Sequence, residues 1–276
     1  MMMKWVGALS VLLSVPAGPI AAAEAARPAV ELYRLDCGTI AVKNLGEFSD
    51  TYLYSGETKT LVASCYLIRN GEQLLLWDTG LDGDLAGTSK DSDGYVNSLK
   101  ERIVPQLSRI GLKPDDIDFI GLSHYHFDHI GQAADFPEAT LLIGKKDFDV
   151  AKVWKPAQAR LAPWVSGRSK VRELTGDSDV FGDGKVTVLS LPGHTEGHQA
   201  LLVRLASGPV LLSGDQYHFA DQIKNRGVPA FNTDRAETLA SMDRFDRIAE
   251  NLHAKIIIQH DPADVAKLPI FPQAAR

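Results

Sequence analysis

The chain has 276 residues, 45% of them hydrophobic and 23% charged, the make-up of one globular unit or two fused halves. A formal net charge of −6 argues against a nucleic-acid partner, which needs a basic face, and leaves small or neutral substrates open. At the start, Lys4 precedes an uncharged run from Trp5 to Ala23, apolar as far as Val15 and then broken by Pro16, Gly18 and Pro19. Ala21-Ala22-Ala23 or Ala23-Glu24-Ala25 supplies a small-residue cleavage signal, so residues 1–23 read as a secretory signal cut near 23–25. Two prolines argue against a spanning helix of about 20 residues. The expectation is one domain over 26–276, exported to the periplasm or secreted, with no membrane contact once the signal is removed.

Val30 to Val42 reads as a β-rich opening, and it holds Cys37. Asn44 to Thr60 is polar and aromatic without a period, a loop long enough to be functional or mobile. Leu61–Arg69 and Glu72–Trp77 are apolar runs joined by Asn70-Gly71, a hairpin signal. Cys65 lies in the first run. Export permits a Cys37–Cys65 bridge between neighbouring strands, and two buried thiols fit equally well. Asp78-Thr79-Gly80 stops the second run, and Asp82 to Asp93 reads as a loop. Val96, Leu99, Ile103, Leu107 and Ile110 recur at helical steps, predicting an amphipathic helix over Val96–Ile110, with Pro105 near its start.

Ile117 to Leu122 is a short buried strand, and Leu141–Gly144 is another, followed by a helix over Lys145–Val153. Trp154 to Gly184 reads as a surface excursion over the site. Strands return at Lys185–Leu191, Gln199–Leu205 and Pro209–Ser213. Asp234 to Asn251 is the strongest helix, with Asp234 and Glu237 as a capping box and Leu239, Met242, Phe245, Ile248 and Leu252 as its stripe. Lys255–Gln259 is a final strand. The order suggests two similar βα halves packed sheet to sheet with helices outside.

Chemistry concentrates where these strands end. Ser123 to His129 packs three imidazoles and a carboxylate directly after an apolar run, in a chain of only eight histidines. His194 and His198, Asp215, and His260 each follow a further strand. Four strand ends delivering His or Asp are what a preformed metal site on rigid elements requires.

The motifs "HYHFDH", "GHTEGH", "SGD" and "QHD", in this order from about Leu61 to Asp261, resemble the metallo-β-lactamase superfamily. The resemblance implies an α+β fold, a four-layer αββα sandwich with two metals between the sheets. It places His124, His126 and His194 on one metal, Asp128, His129 and His260 on the other, and Asp215 between them. His198 would orient a ligand or serve as a plain core histidine, and Asp78 would support a loop. The motifs, and the opening "ELYRLDCGTI" to "LLLWDTGL", are similar to the N-acyl homoserine lactonases within that superfamily. Such an enzyme opens the lactone ring by attack of a metal-bridging hydroxide. A β-lactam hydrolase, or another ester or lactone hydrolase of the same fold, is the alternative.

The cofactors implied are two divalent ions, zinc first, with cobalt, iron or manganese as alternatives. The implied partner is a small acylated lactone, and the resemblance suggests a homodimer. Asp128 would move the proton. Lactonases commonly carry Tyr three residues after the bridging Asp; here His218 stands there, with Tyr217 before it, so either would hold the substrate carbonyl. Phe48, Tyr52, Tyr54, Trp154, Trp164, Phe219 and Phe231 are candidates for an acyl groove.

Overall fold

Two sheets form because the apolar strand segments send alternate side chains to opposite faces, and each face has to be covered. The computed structural model describes Met2, residues 29–92 and residues 94–276, and the expected signal segment lies outside the described residues, Met2 apart. Among the described residues the first sheet comprises β1 (Glu31–Val42), β2 (Lys59–Asn70), β3 (Gln73–Trp77), β4 (Thr88–Ser92), β5 (Tyr95–Leu99), β6 (Phe119–Gly121), β7 (Thr140–Gly144) and β8 (Val171–Leu174). Their spatial order is β4-β5-β1-β2-β3-β6-β7-β8. The second sheet holds β9 (Ser178–Asp179), β10 (Val186–Ser190), β11 (Gln199–Leu205), β12 (Gly208–Leu212) and β13 (Lys255–Ile257), in the order β13-β12-β11-β10-β9.

The alternation is visible within single strands. Tyr66 and Ile68 of β2, with Leu75 and Trp77 of β3, face Val188, Leu201, Val203 and Leu212 of the second sheet. Leu67 and Leu76, one residue out of phase, face the helices α1 (Ile103–Ser108), α2 (Lys145–Val153), α3 (Lys155–Arg160) and α4 (Ala162–Val165). After β12 come α5 (Asp221–Asn225) and α6 (Arg235–Leu252), and α7 (Pro262–Val265) follows β13. Met242 and Phe245 of α6 cover the outer face of the second sheet against Leu189, Leu202 and Leu211. The layers are therefore helix, sheet, sheet, helix, as expected.

The Asn70-Gly71 hairpin forms: Asn70 pairs with Gln73, and Gly71 takes φ +63° in the turn. α6 begins at Asp234, whose Oδ1 accepts from the Glu237 N–H at 2.8 Å. The helix expected over Val96–Ile110 is confined to Ile103–Ser108. Tyr95–Leu99 is instead β5, hydrogen-bonded to β1 on one side and β4 on the other. Ladders to two neighbouring strands outweigh a helical apolar period that was only local. For the same reason the expected Asp82–Asp93 loop contains β4. The Trp154–Gly184 excursion holds α3, α4, β8 and β9, and β8 extends the first sheet beside β7. Trp164 sits in the core and donates Nε1–H to the Ala139 carbonyl at 2.9 Å. Cys37 and Cys65 are joined as a disulfide between β1 and β2, which decides between the two readings of the cysteines.

Candidate metal centre

Five strands end at one place. β3 ends at Asp78, β6 at Ser123 to His129, β10 at His194 to His198, β12 at Asp215, and β13 just before His260. The backbone at Asp78 is left-handed, φ +56°, an unfavourable conformation for a non-glycine residue. Its carboxylate offsets this by accepting from the Ser123 N–H at 2.7 Å, His129 Nδ1 at 2.9 Å and Gln259 Nε2 at 2.8 Å. One buried side chain thereby joins three of the converging segments.

The ligating atoms fall into two groups. His124, His126, His194 and Asp215 form one; Asp128, His129 and His260 form the other, and within each group the atoms lie within 4.8 Å of one another. Asp215 lies between them. Its Oδ2 is 3.5 Å from His124 Nε2 and 3.3 Å from His194 Nε2, while its Oδ1 is 3.1 Å from His129 Nε2 and 3.0 Å from His260 Nε2. Asp128 Oδ2 approaches the His260 and His129 nitrogens at 3.6 and 3.8 Å.

The outer ring nitrogens define what the inner ones carry. His260 Nδ1 meets the Val62 carbonyl at 2.7 Å, and a carbonyl can only accept, so Nδ1 holds the proton. His129 Nδ1 donates to Asp78, and His194 Nδ1 donates to Asn232 Oδ1 at 2.8 Å. The inner nitrogens crowd one another: His129 Nε2 and His260 Nε2 stand 3.2 Å apart, and His194 Nε2 is 3.1 Å from His124 Nε2 and 3.0 Å from His126 Nδ1. So many imidazole nitrogens converging on one another and on the Asp215 oxygens suit cations placed among them. The donor set, imidazole and carboxylate with the outer nitrogens of His129, His194 and His260 tied down, fits two divalent ions.

Electrostatics agree. Burial holds His124 and His194 well below the ordinary histidine value, and it lowers His126 to about 4. These rings are neutral at neutral pH, as ligands must be. Burial is the largest single influence on His129 and His260 and opposes their charge, but the carboxylates together outweigh it, Asp215 first, with Asp128 adding to both and Asp78 to His129, so both pKa values are raised. For Asp215, burial is outweighed by the surrounding histidines, His260 and His129 first, and its pKa falls well below the carboxylate range. The pocket is built to balance these carboxylates with positive charge.

All seven expected ligands thus meet, and His218 joins them. Its Nε2 is 3.2 Å from Asp215 Oδ2, its ring stacks on His260, and its Nδ1 is buried without a partner. Tyr217 does not. Successive side chains point opposite ways in the extended backbone at this position, so Tyr217 turns into the helix-covered core. There its ring packs on Phe245, and its hydroxyl donates to Asp246 at 3.0 Å. Tyr217 is removed from the catalytic set. His198 donates Nδ1–H to the Leu191 carbonyl and accepts the Asp215 N–H at 2.9 Å, orienting Asp215 as expected.

A cavity of about 170 Å³ opens over Asp128, Asp215, His218 and His260, walled by Ile40, Phe48, Leu61, Tyr95, Phe127 and Phe231. Of the seven groove candidates, Phe48 and Phe231 line it; Phe219 and Tyr54 pack behind Phe48. Tyr52 is exposed, Trp154 rests on Tyr125, and Trp164 is buried elsewhere. A larger groove of about 430 Å³, between Arg34–Thr39 and Pro262–Phe271, carries none of the histidines. Sequence reasoning missed Asn232, Gln259, Ser123 and Asp147, which hold the ligand loops from behind. A lone Asn, Gln or Asp has no spacing to mark it.

The Metallo-beta-lactamase superfamily model matches residues 58–260. An N-acyl homoserine lactonase of Azorhizobium caulinodans is 31% identical over 178 residues, 59% of this chain and 65% of that protein, just under two thirds of the relative's length. An N-acyl homoserine lactonase of a Bacillus species is 29% identical over 80% of this chain and 90% of its own. Among solved structures, an N-acyl homoserine lactone hydrolase with N-hexanoyl-L-homoserine bound at its catalytic metal centre is 26% identical. It superposes with a TM-score of 0.76 over 90% of this chain and 99% of its own.

Proposed function

This chain belongs to the metallo-β-lactamase superfamily, and we propose that it is a dinuclear metal hydrolase that opens the lactone ring of N-acyl homoserine lactones. The observation that carries the reading is Asp215, with one carboxylate oxygen toward each histidine group and the small apolar-walled cavity directly above. The similarity to lactonases, including one whose product lies at its metal centre, supports the substrate class.

His124, His126 and His194 would hold one ion, Asp128, His129 and His260 the other, and Asp215 both. Divalent ions in these positions supply a nucleophilic water near neutral pH and polarise the ester carbonyl. The chain's own groups do the rest. Asp128, at the cavity wall, accepts one proton of the attacking water and returns it to the ring oxygen as the C–O bond breaks, so Asp128 itself ends unchanged while the new carboxylic acid releases the water's other proton at neutral pH. His218, 3.2 Å from Asp215, donates to the oxygen that develops negative charge, in place of the phenol common in this family. Phe48 and Phe231 receive the first carbons of the acyl chain and exclude water.

Zinc suits three imidazoles with carboxylates, and it heads the proposal. The Cys37–Cys65 disulfide supports an exported enzyme, since such bridges persist in oxidising compartments. A homodimer is part of the proposal, and sedimentation tests it. The decisive experiment sets ring-opening of N-hexanoyl homoserine lactone beside hydrolysis of a chromogenic cephalosporin, with metal analysis on the same sample. Cephalosporin turnover without lactone turnover reverses the assignment.

A further inference from the structure

We propose that Asp147 positions the two loops carrying His124, His126 and His194, and so sets the metal affinity of that site independently of the other. This rests on the reading of that cluster as a metal site. Asp147 lies in the first turn of α2, completely buried, and neither lines the cavity nor touches a histidine. Its Oδ2 accepts the Thr195 Oγ1–H at 2.7 Å, and its Oδ1 accepts the Gly197 N–H at 2.7 Å. The backbone N–H of Tyr125, the residue between His124 and His126, bonds to the same carboxylate. One side chain therefore splints the loop bearing two of the imidazoles to the loop bearing the third.

Packing around the splint leaves no slack. A Cβ at Gly197 would stand 2.7 Å from Asp147 Oδ1, and one at Gly144 would stand 2.0 Å from the Gly197 carbonyl oxygen. Burial works against this carboxylate and pushes its pKa up to about 7, despite three donors that pull it down. A carboxylate in so unfavourable a place is held there by what it ties together. The other metal group leans on Asp78, which binds His129 and the Gln259 side chain next to His260 and also accepts from the Ser123 N–H beside His124. Among the described residues the Asp147 carboxylate bonds only to the loops of its own group, which predicts that its loss weakens one ion and spares the other.

Zinc alone is titrated into chelator-stripped full-length protein against a competing chromogenic chelator, for wild type, Asp147→Ala, Asp147→Asn and Thr195→Val, with a thermal melt of each. Wild type takes two equivalents. Asp147→Ala weakens one equivalent by roughly 10- to 100-fold, the range for losing an outer support of a ligand, and leaves the second unchanged. Asp147→Asn, whose amide can donate to Thr195 and accept from Gly197, recovers most of that loss. Thr195→Val, missing one bond of the three, falls between. Two equivalents at wild-type affinity in Asp147→Ala overturn the proposal, as does equal weakening of both ions or an Asn variant no better than Ala. If Asp147→Ala does not fold, unchanged affinity in Thr195→Val overturns it. A wild type that takes up no stoichiometric zinc sinks the metal reading itself, a separate result.

Discussion

Tyr217→Phe and His218→Ala form a pair of perturbations that assign the carbonyl donor, because adjacent side chains point into opposite layers. The Tyr217 hydroxyl reaches both Asp246 oxygens at 3.0 Å, and Arg226 completes the group at 2.9 Å. A hydrogen bond to a charged acceptor contributes about 1.5–3 kcal/mol, and the half-buried Asp246 places this one at the lower end. Removing it therefore costs about 1–2 kcal/mol, a fall in melting temperature of roughly 2–8 °C at this chain length. The site is untouched, so kcat/KM on N-hexanoyl homoserine lactone stays within about twofold of wild type. His218→Ala does the reverse. It leaves one cavity donor missing, and kcat/KM falls on the order of ten- to a thousandfold, about 1.4–4 kcal/mol of transition-state stabilisation. Melting curves and initial rates on the two variants, both loaded with two zinc ions, check this. An unimpaired His218→Ala with a crippled Tyr217→Phe refutes the assignment and the orientation on which it rests.

Asp215→Ala should lose both ions, not one, since each oxygen faces a different histidine group; metal analysis after gel filtration shows this, and one retained equivalent contradicts the bridge. The raised pKa of Asp147 makes stability pH-dependent. Its folded value of about 7 lies above the ordinary 3.8, so the native state binds this proton more tightly, and its contribution is complete below about pH 4 and lost as pH rises through 7. Denaturant titrations of chelator-stripped wild type and Asp147→Asn should diverge in the variant's favour across that window, by up to about 4 kcal/mol; a constant difference disproves the shift. Reducing Cys37–Cys65 reopens a link between residues 28 apart, which should destabilise the fold by about 3–4 kcal/mol in chemical denaturation. An unchanged midpoint under reductant would show that the bridge constrains nothing the sheet does not already hold.

The sequence by itself determined the candidate ligands and the layer scheme. "HYHFDH" places four polar groups within six residues after a buried strand, and metal chemistry is the economical explanation for that density. His194, Asp215 and His260 were legible because each ends an apolar run. Two-residue alternation in β2 and β3, and the three-and-four-residue stripe of α6, are local signals that survive without neighbours. What the tertiary structure decided depends on contacts between distant segments. Val96 to Leu99 had the spacing of a helix, but β1 and β4 made it a strand, because ladder bonds are available only once those partners are placed. Tyr217 and His218 are indistinguishable as neighbours in a list of donors; the sheet and α6 turned the phenol inward and left the imidazole beside Asp215 at the cavity. Asp147 bore no mark at all. A buried carboxylate acquires its meaning from the loops it joins, Tyr125 and Thr195 lying 22 and 48 residues away along the chain, and only folding brings them to it.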